Sequence, residues 1–193
     1  MSKSQRLALP NMPQQWDVSI YDSQTPLGIP DTLSPARREA VRLENAIRLD
    51  IVETGAFFDV NGNLITKKAG TANQVRFDPH ELVGVTRSLF THNHPDGLSF
   101  SRQDVEQAVQ LDLIELRAVT SYCRYILFPD AVWPAWPLIE QALQQHVASA
   151  YQEVNAMVQT CQLSFNHIDK ELQHRLWVLV SHDLNLHYIR EPS

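Results

Sequence analysis

The stretch from Ser88 to Gly97, SLFTHNHPDG, and the SRQD of Ser101 to Asp104 just beyond it constrain the architecture more than any other part of the chain. An apolar run that ends in polar side chains reads as a central strand delivering functional groups to its tip. Pro95 halts regular strand pairing, and Asp96-Gly97 extends the bend, so the chain turns back toward the strand it has just left. Ser101 then opens a helix over SRQDVEQAVQLD, in which Val105, Ala108 and Val109 recur at helical spacing. A strand, a tight turn and a returning helix require a sheet with a helix laid on its face, so the predicted class is α/β of the α+β kind.

The flanking sequence fills out that sheet. Ser34-Pro35 supplies an N-cap with proline at the first helical position, and Val41, Leu43, Ile47 and Leu49 give the apolar face of a helix running to about Asp50. After it, IVETGAFFDVNGNLI is β-branched and aromatic with Asn61-Gly62 inside it, which predicts a hairpin of Ile51–Val60 with Leu64–Lys68. QVRF reads as a further short strand, and Pro79–Val83 as a short helix or turn. LRAVTS and YCRYILF read as two more strands. Past Phe128 the composition shifts. PDAVWPAWP punctuates the chain, and LIEQALQQHVASAYQEVNAMVQ is a long amphipathic helix, with a second helical stretch over roughly Lys170–His182. The expected organisation is an extended arm over residues 1–33, a core over 34–130, and a C-terminal helical hairpin over 131–193 packed on that core.

At 193 residues the chain is long enough for one domain with a substantial core plus an appended segment. Its 16 Lys+Arg against 22 Asp+Glu give a formal charge of −6, which argues against a phosphate backbone as partner. No apolar stretch has the length of a signal-peptide core or a bilayer span, so a soluble, cytoplasmic protein with no membrane contact is expected. Cys123 and Cys161 form no CxxC pair and are read as small buried hydrophobes rather than as a disulfide or a thiolate metal site.

The chemistry is carried by histidine and carboxylate. On an extended strand residues i and i+2 share a face, so the imidazoles of His92 and His94 can converge on one ion. Asp104, in the first turn of the returning helix, could complete a three-ligand site. Three protein ligands leave a fourth position for water, the arrangement of catalytic zinc. A carboxylate is then wanted to move the proton. Glu53 is chosen because it lies just before GAFF on a strand that could neighbour the histidine strand, with Glu44 on the preceding helix as its rival. Ser101 could donate to an oxyanion. The competing reading makes Ser101 and Asp104 simply the N-cap and N3 residues of a capping box, and HxH a pair of ordinary strand-end histidines.

Taken together, Glu53, His92-Asn93-His94-Pro95 and Ser101-Arg102-Gln103-Asp104 resemble the signature of the JAMM/MPN+ (JAB domain) metallopeptidases, and the HNHP form is closest to bacterial and phage branches. The resemblance covers roughly Glu44–Phe128. It implies a mixed sheet flanked by helices, Zn2+ held by His92, His94 and Asp104, Glu53 as general base, Ser101 at the oxyanion, and hydrolysis of a peptide or isopeptide bond in a protein substrate. A ubiquitin-like modifier is one candidate substrate. The loop from Pro95 to Ser101 holds five residues, one fewer than in the eukaryotic deubiquitinases, and no ubiquitin-binding insertion is recognised.

A second function class is a non-catalytic JAB-fold assembly module, phage-related or defence-related, that uses its C-terminal helices to dimerise or to bind a partner helix. A base deaminase would want H-x-E with P-C-x-x-C, which this chain lacks. His80, His146, His167, His174, His182 and His187 have no close metal spacing and read as surface or packing residues. Trp133, Trp136 and Trp177 read as packing between the core and the C-terminal segment. Arg37, Arg38 and Arg42 read as a solvated basic face.

Overall fold

The computed structural model describes residues 17–22, 28–29 and 32–192. Most of the arm expected over residues 1–33 lies outside them. The chain runs α1 (Pro35–Ile47), β1 (Thr54–Phe58), β2 (Leu64–Ala69), β3 (Leu89–Asn93), α2 (Arg102–Gln110), β4 (Glu115–Val119), β5 (Cys123–Pro129), α3 (Trp136–Gln159), α4 (Ile168–Asp183) and β6 (Leu186–Pro192). The strands form one mixed six-stranded sheet in the order β2-β1-β3-β4-β5-β6. Every neighbour is antiparallel except β3 with β4, whose parallel pairing is made possible by the α2 crossover. The α+β class read from the sequence is therefore the observed one.

Strand alternation divides the sheet into two faces. Ala56, Phe58 and Leu89 meet Ala36 and Ala40 of α1 on one side. Phe57, Phe90, Leu116, Ala118, Tyr125 and Leu127 meet α2, α3 and α4 on the other, in a larger core with Phe100, Ile139 and Trp177. The C-terminal helices thus share the main core with the sheet. Ser34 caps α1 as expected, its Oγ accepting from the Arg37 N–H at 3.4 Å. Among the described residues no helix is long and apolar enough to cross a membrane.

Several expectations are corrected. QVRF is not a strand. Both edges of β1 are taken by β2 and β3, and the segment instead lays Phe77 edge-on against Phe57, ring centroids 5.2 Å apart. The C-terminal segment is not helical throughout, because Leu186–Pro192 adds β6 to the sheet edge against β5. The described part of the arm includes a 3-10 turn at Val18–Asp22 that buries Ile20 and Tyr21 in the main core. The hairpin at Asn61-Gly62 exists, but its loop is longer than two residues. Asp59 binds the N–H groups of Asn61 and Asn63 through its carboxylate, and only Gly62 takes a positive φ, of 85°. Cys123 is buried as expected, whereas Cys161 is exposed beyond the end of α3.

Arg37 is also not simply solvated. It pairs with Glu115 through Nε at 2.7 Å and lies over the Phe128 ring. Glu115 in turn accepts from Arg117, so this arginine joins α1 to the buried charge cluster on the same face.

Candidate metal centre

β3 is central in the sheet, and its alternation decides where each side chain of the motif goes. Phe90, His92 and His94 share the face covered by α2 and α4, with the Phe90 and His92 rings stacked at 5.0 Å. Thr91 and Asn93 point to the other. His94 sits one residue past the strand but keeps the register, its N–H donating to the Val119 carbonyl at 2.8 Å. The turn that follows is closed by the Gly97 N–H donating to the His94 carbonyl at 3.1 Å, with Pro95 at the second position and Gly97 at a φ of 81°. Asp96 accepts from the Leu98 N–H at 2.9 Å and acts as a turn former, not a ligand.

The tight bend delivers α2 beside the two imidazoles. Asp104 lies with Oδ1 3.5 Å from His92 Nε2 and Oδ2 3.5 Å from His94 Nε2, and the two Nε2 atoms are 2.7 Å apart. The capping-box reading is also correct: the Ser101 N–H donates to Asp104 Oδ2 at 2.7 Å, and the Asp104 N–H donates to Ser101 Oγ at 3.2 Å. Capping and ligation are compatible, because a carboxylate has about four lone-pair directions and the cap uses one. The cap fixes the rotamer that aims Asp104 at the histidines. The Ser101 oxygen accepts from the Asp104 amide, which leaves its own O–H proton free to donate elsewhere.

These three residues can hold a metal ion: their donor atoms all lie within 4.8 Å of one another, and among the described residues no other such group of three or more His, Cys, Asp or Glu occurs. His94 Nδ1 lies 3.1 Å from the Leu98 carbonyl, which it satisfies as a donor, leaving Nε2 as the lone-pair atom facing the site. A tetrahedral ion with ligands at about 2.0–2.1 Å spaces its donors roughly 3.4 Å apart. The two carboxylate separations already match that, and the imidazole pair would open by less than 1 Å. Two Nε2 lone pairs facing each other at hydrogen-bond distance need a cation or a proton between them, so the donor set fits a divalent ion.

Glu53 immediately precedes β1, paired through its backbone with the chain after β2: its N–H donates to Thr71 at 2.7 Å, and Gly70 donates to its carbonyl at 2.8 Å. Asn93 fixes this segment on both sides of Glu53. Its Oδ1 accepts from the Thr54 N–H at 2.7 Å, and its Nδ2 donates to the Val52 carbonyl at 3.0 Å. The Glu53 side chain lines the same cleft as His92, His94, Ser101 and Asp104. Burial pushes its carboxyl up from the ordinary glutamate value, and the imidazoles of His94 and His92 only partly pull it back.

Glu44 stands outside the cleft. It is fully buried on α1 at the opposite face of the sheet, where Thr91, Arg117 and Arg124 donate to it at 2.6–3.1 Å. Burial alone would raise its carboxyl, but the two guanidiniums and the Thr91 hydroxyl outweigh it and hold it below the usual range. The remaining histidines do not join the site. His174 faces the Tyr188 hydroxyl at 3.0 Å, His146 faces Asp183 at 3.3 Å, and His187 pairs with Asp130.

Burial would lower the His94 imidazole, but Asp104 and then Glu53 more than reverse this and raise it to about 9. An imidazole whose folded pKa is raised contributes stability that is complete below about 6.5 and is lost as pH climbs through about 9. We therefore expect the metal-free protein to lose roughly 3 kcal/mol across that window. Urea unfolding in chelator at pH 6, 7.5 and 9 measures it, and His94→Gln should flatten the profile. Metal must displace the same proton, so affinity should climb over the same range.

Comparison with family models, curated proteins and solved structures returns no match.

Proposed function

We propose that this chain is a zinc-dependent hydrolase of the JAMM/MPN+ type that cleaves a peptide or isopeptide bond in a protein or peptide substrate. The observation that carries the reading is the convergence, in one cleft, of the three donors with a buried carboxylate and a hydroxyl that are not donors. Two imidazoles, one carboxylate and an open side favour zinc in a catalytic rather than a structural setting. Held there, zinc would supply a water acidified to near pH 7 and a polarised substrate carbonyl.

The protein's own groups do the rest. Glu53, raised above a surface glutamate by burial, takes the proton of the attacking water and passes it to the leaving nitrogen. Ser101, its oxygen engaged by the Asp104 amide, donates its O–H to the oxygen that becomes negative as the carbonyl turns tetrahedral. Asn93 holds the backbone on either side of Glu53, so the carboxylate keeps its distance from the donors as its charge changes.

Metal analysis tests the proposal first. The purified full chain should carry about one equivalent of zinc, lose it to a chelator together with hydrolysis of peptide substrates, and regain both on zinc addition. His92→Ala should retain neither. Hydrolysis that survives complete zinc removal would overturn the reading. A chain that binds no zinc would favour an assembly module instead.

A further inference from the structure

The C-terminal helix α4 presents a stripe of residues to the metal loop. Lys170 packs over Gly97, where an added methyl would come within 2.5 Å of the lysine Cε. Trp177 donates its Nε1–H to the Phe100 carbonyl at 2.7 Å. Between them on the same face, at the i, i+3, i+7 spacing, stands Gln173, which lines the metal cleft. Its Oε1 is inaccessible to solvent and has no hydrogen-bond partner. A buried amide oxygen left without a donor carries an uncompensated desolvation cost, which a bound donor would relieve.

The rest of the lining points to what that donor is. From α2, Gln103 and Gln107 stand one turn apart on the face beside Asp104, and Val75 and Phe90 contribute apolar surface. Glu53, Asp96 and Asp104 are the charged groups of the lining apart from the imidazoles, and no lysine or arginine is among it. Apart from the metal itself, the lining thus offers a ligand amides and carboxylates rather than fixed cations. Uncharged amides that both donate and accept suit the alternating N–H and C=O groups of a peptide main chain.

On the basis of the hydrolytic reading above, we infer that Gln173 is a substrate-binding residue: its terminal amide turns on peptide binding so that Oε1 accepts a main-chain N–H of a peptide held across an internal amide bond. The helical segment beyond the motif-bearing core thereby builds one wall of the site.

The test uses the zinc-loaded full chain carrying Glu53→Gln, which leaves the metal donors in place, and a fluorophore-labelled library of neutral hexapeptides blocked at both ends. Affinity for the tightest-binding peptide is measured with and without Gln173→Met, a change of similar length that removes both amide atoms. We expect binding to weaken about 3- to 10-fold, the worth of one hydrogen bond. Zinc content should be unchanged, and thermal stability unchanged or higher, because no hydrogen bond of Oε1 is lost. N-methylation of one peptide amide should cost the same and cost nothing further in Gln173→Met, whereas a purely structural role would give additive losses and a lower Tm. Equal affinity, additive losses, a fall in Tm, or no binding of any end-blocked peptide each overturns the inference. Gln173-dependent binding by a wild-type chain that cleaves none of the library would leave the inference standing and remove the hydrolytic reading instead.

Discussion

Glu53→Gln should keep its zinc and lose hydrolysis by about 10²- to 10⁴-fold, the range that a positioned general base contributes. The substitution is close to isosteric, and everything that holds residue 53 in place is backbone. The bonds to Thr71 and Gly70 and the Asn93 clamp on residues 52 and 54 do not involve the carboxylate. Burial penalises the charged form of Glu53, so the neutral amide should be tolerated by the fold. The donors His92, His94 and Asp104 are untouched, hence metal content separates this variant from His92→Ala. The loss should fall on kcat, since a proton carrier acts in the transition state rather than in binding. Glu44→Gln supplies the contrast, because it weakens the carboxylate partner of Arg117 and Arg124 and should register as lost stability before any change in turnover. A zinc-loaded Glu53→Gln protein that hydrolyses at the wild-type rate would remove Glu53 from the mechanism.

That His92, His94 and Asp104 come together is legible in the sequence through local rules. Period-two alternation places His92 and His94 together and Thr91 and Asn93 apart, a proline after the second histidine stops the strand, and a Ser-x-x-Asp box starts a helix. Each rule acts over a few residues, so each survives without tertiary information. The preference for Glu53 over Glu44 rests on a guessed strand neighbour, because it depends on which face of the sheet α1 covers, and that follows from strand order. Strand β6 was hidden for a related reason. Its inward set is Leu186, Tyr188 and Arg190, and an inward arginine breaks the apolar pattern unless its partner Glu171, far away in sequence, is known. Gln173 carries no sequence signal at all. Only packing of α4 along the metal loop brings it to the cleft.

The partner of that inward arginine gives the other large expected effect, this one on stability. Glu171 is fully buried on α4, accepting from Arg175 Nε at 2.6 Å, from an Arg190 terminal nitrogen at 2.7 Å and from the Tyr21 hydroxyl at 3.0 Å. It ties α4, the edge strand β6 and the 3-10 turn at Val18–Asp22 into one knot beneath the metal face. Burial would raise its carboxyl, yet His174, Arg190 and Arg175 together bring it down to about 2. A carboxylate depressed in the folded state stabilises above its unfolded pKa near 4.5, and that contribution drains away as pH falls toward 2. Glu171→Leu removes the carboxylate that the buried Arg190 and Arg175 guanidiniums share, and we expect it to cost about 3–5 kcal/mol in urea unfolding at pH 7. Adding Arg190→Met should recover part of the loss, since it removes one of the two guanidiniums that shared Glu171, while Arg175 keeps Glu153 at 3.3 Å. The same variants probe the wall of the cleft: if α4 holds Gln173 and Trp177 against the metal loop, Glu171→Leu should weaken zinc retention as well as the fold, and the double variant should restore both in step. Recovery of stability without recovery of zinc would mean that the knot positions the loop through its charges and not through packing alone.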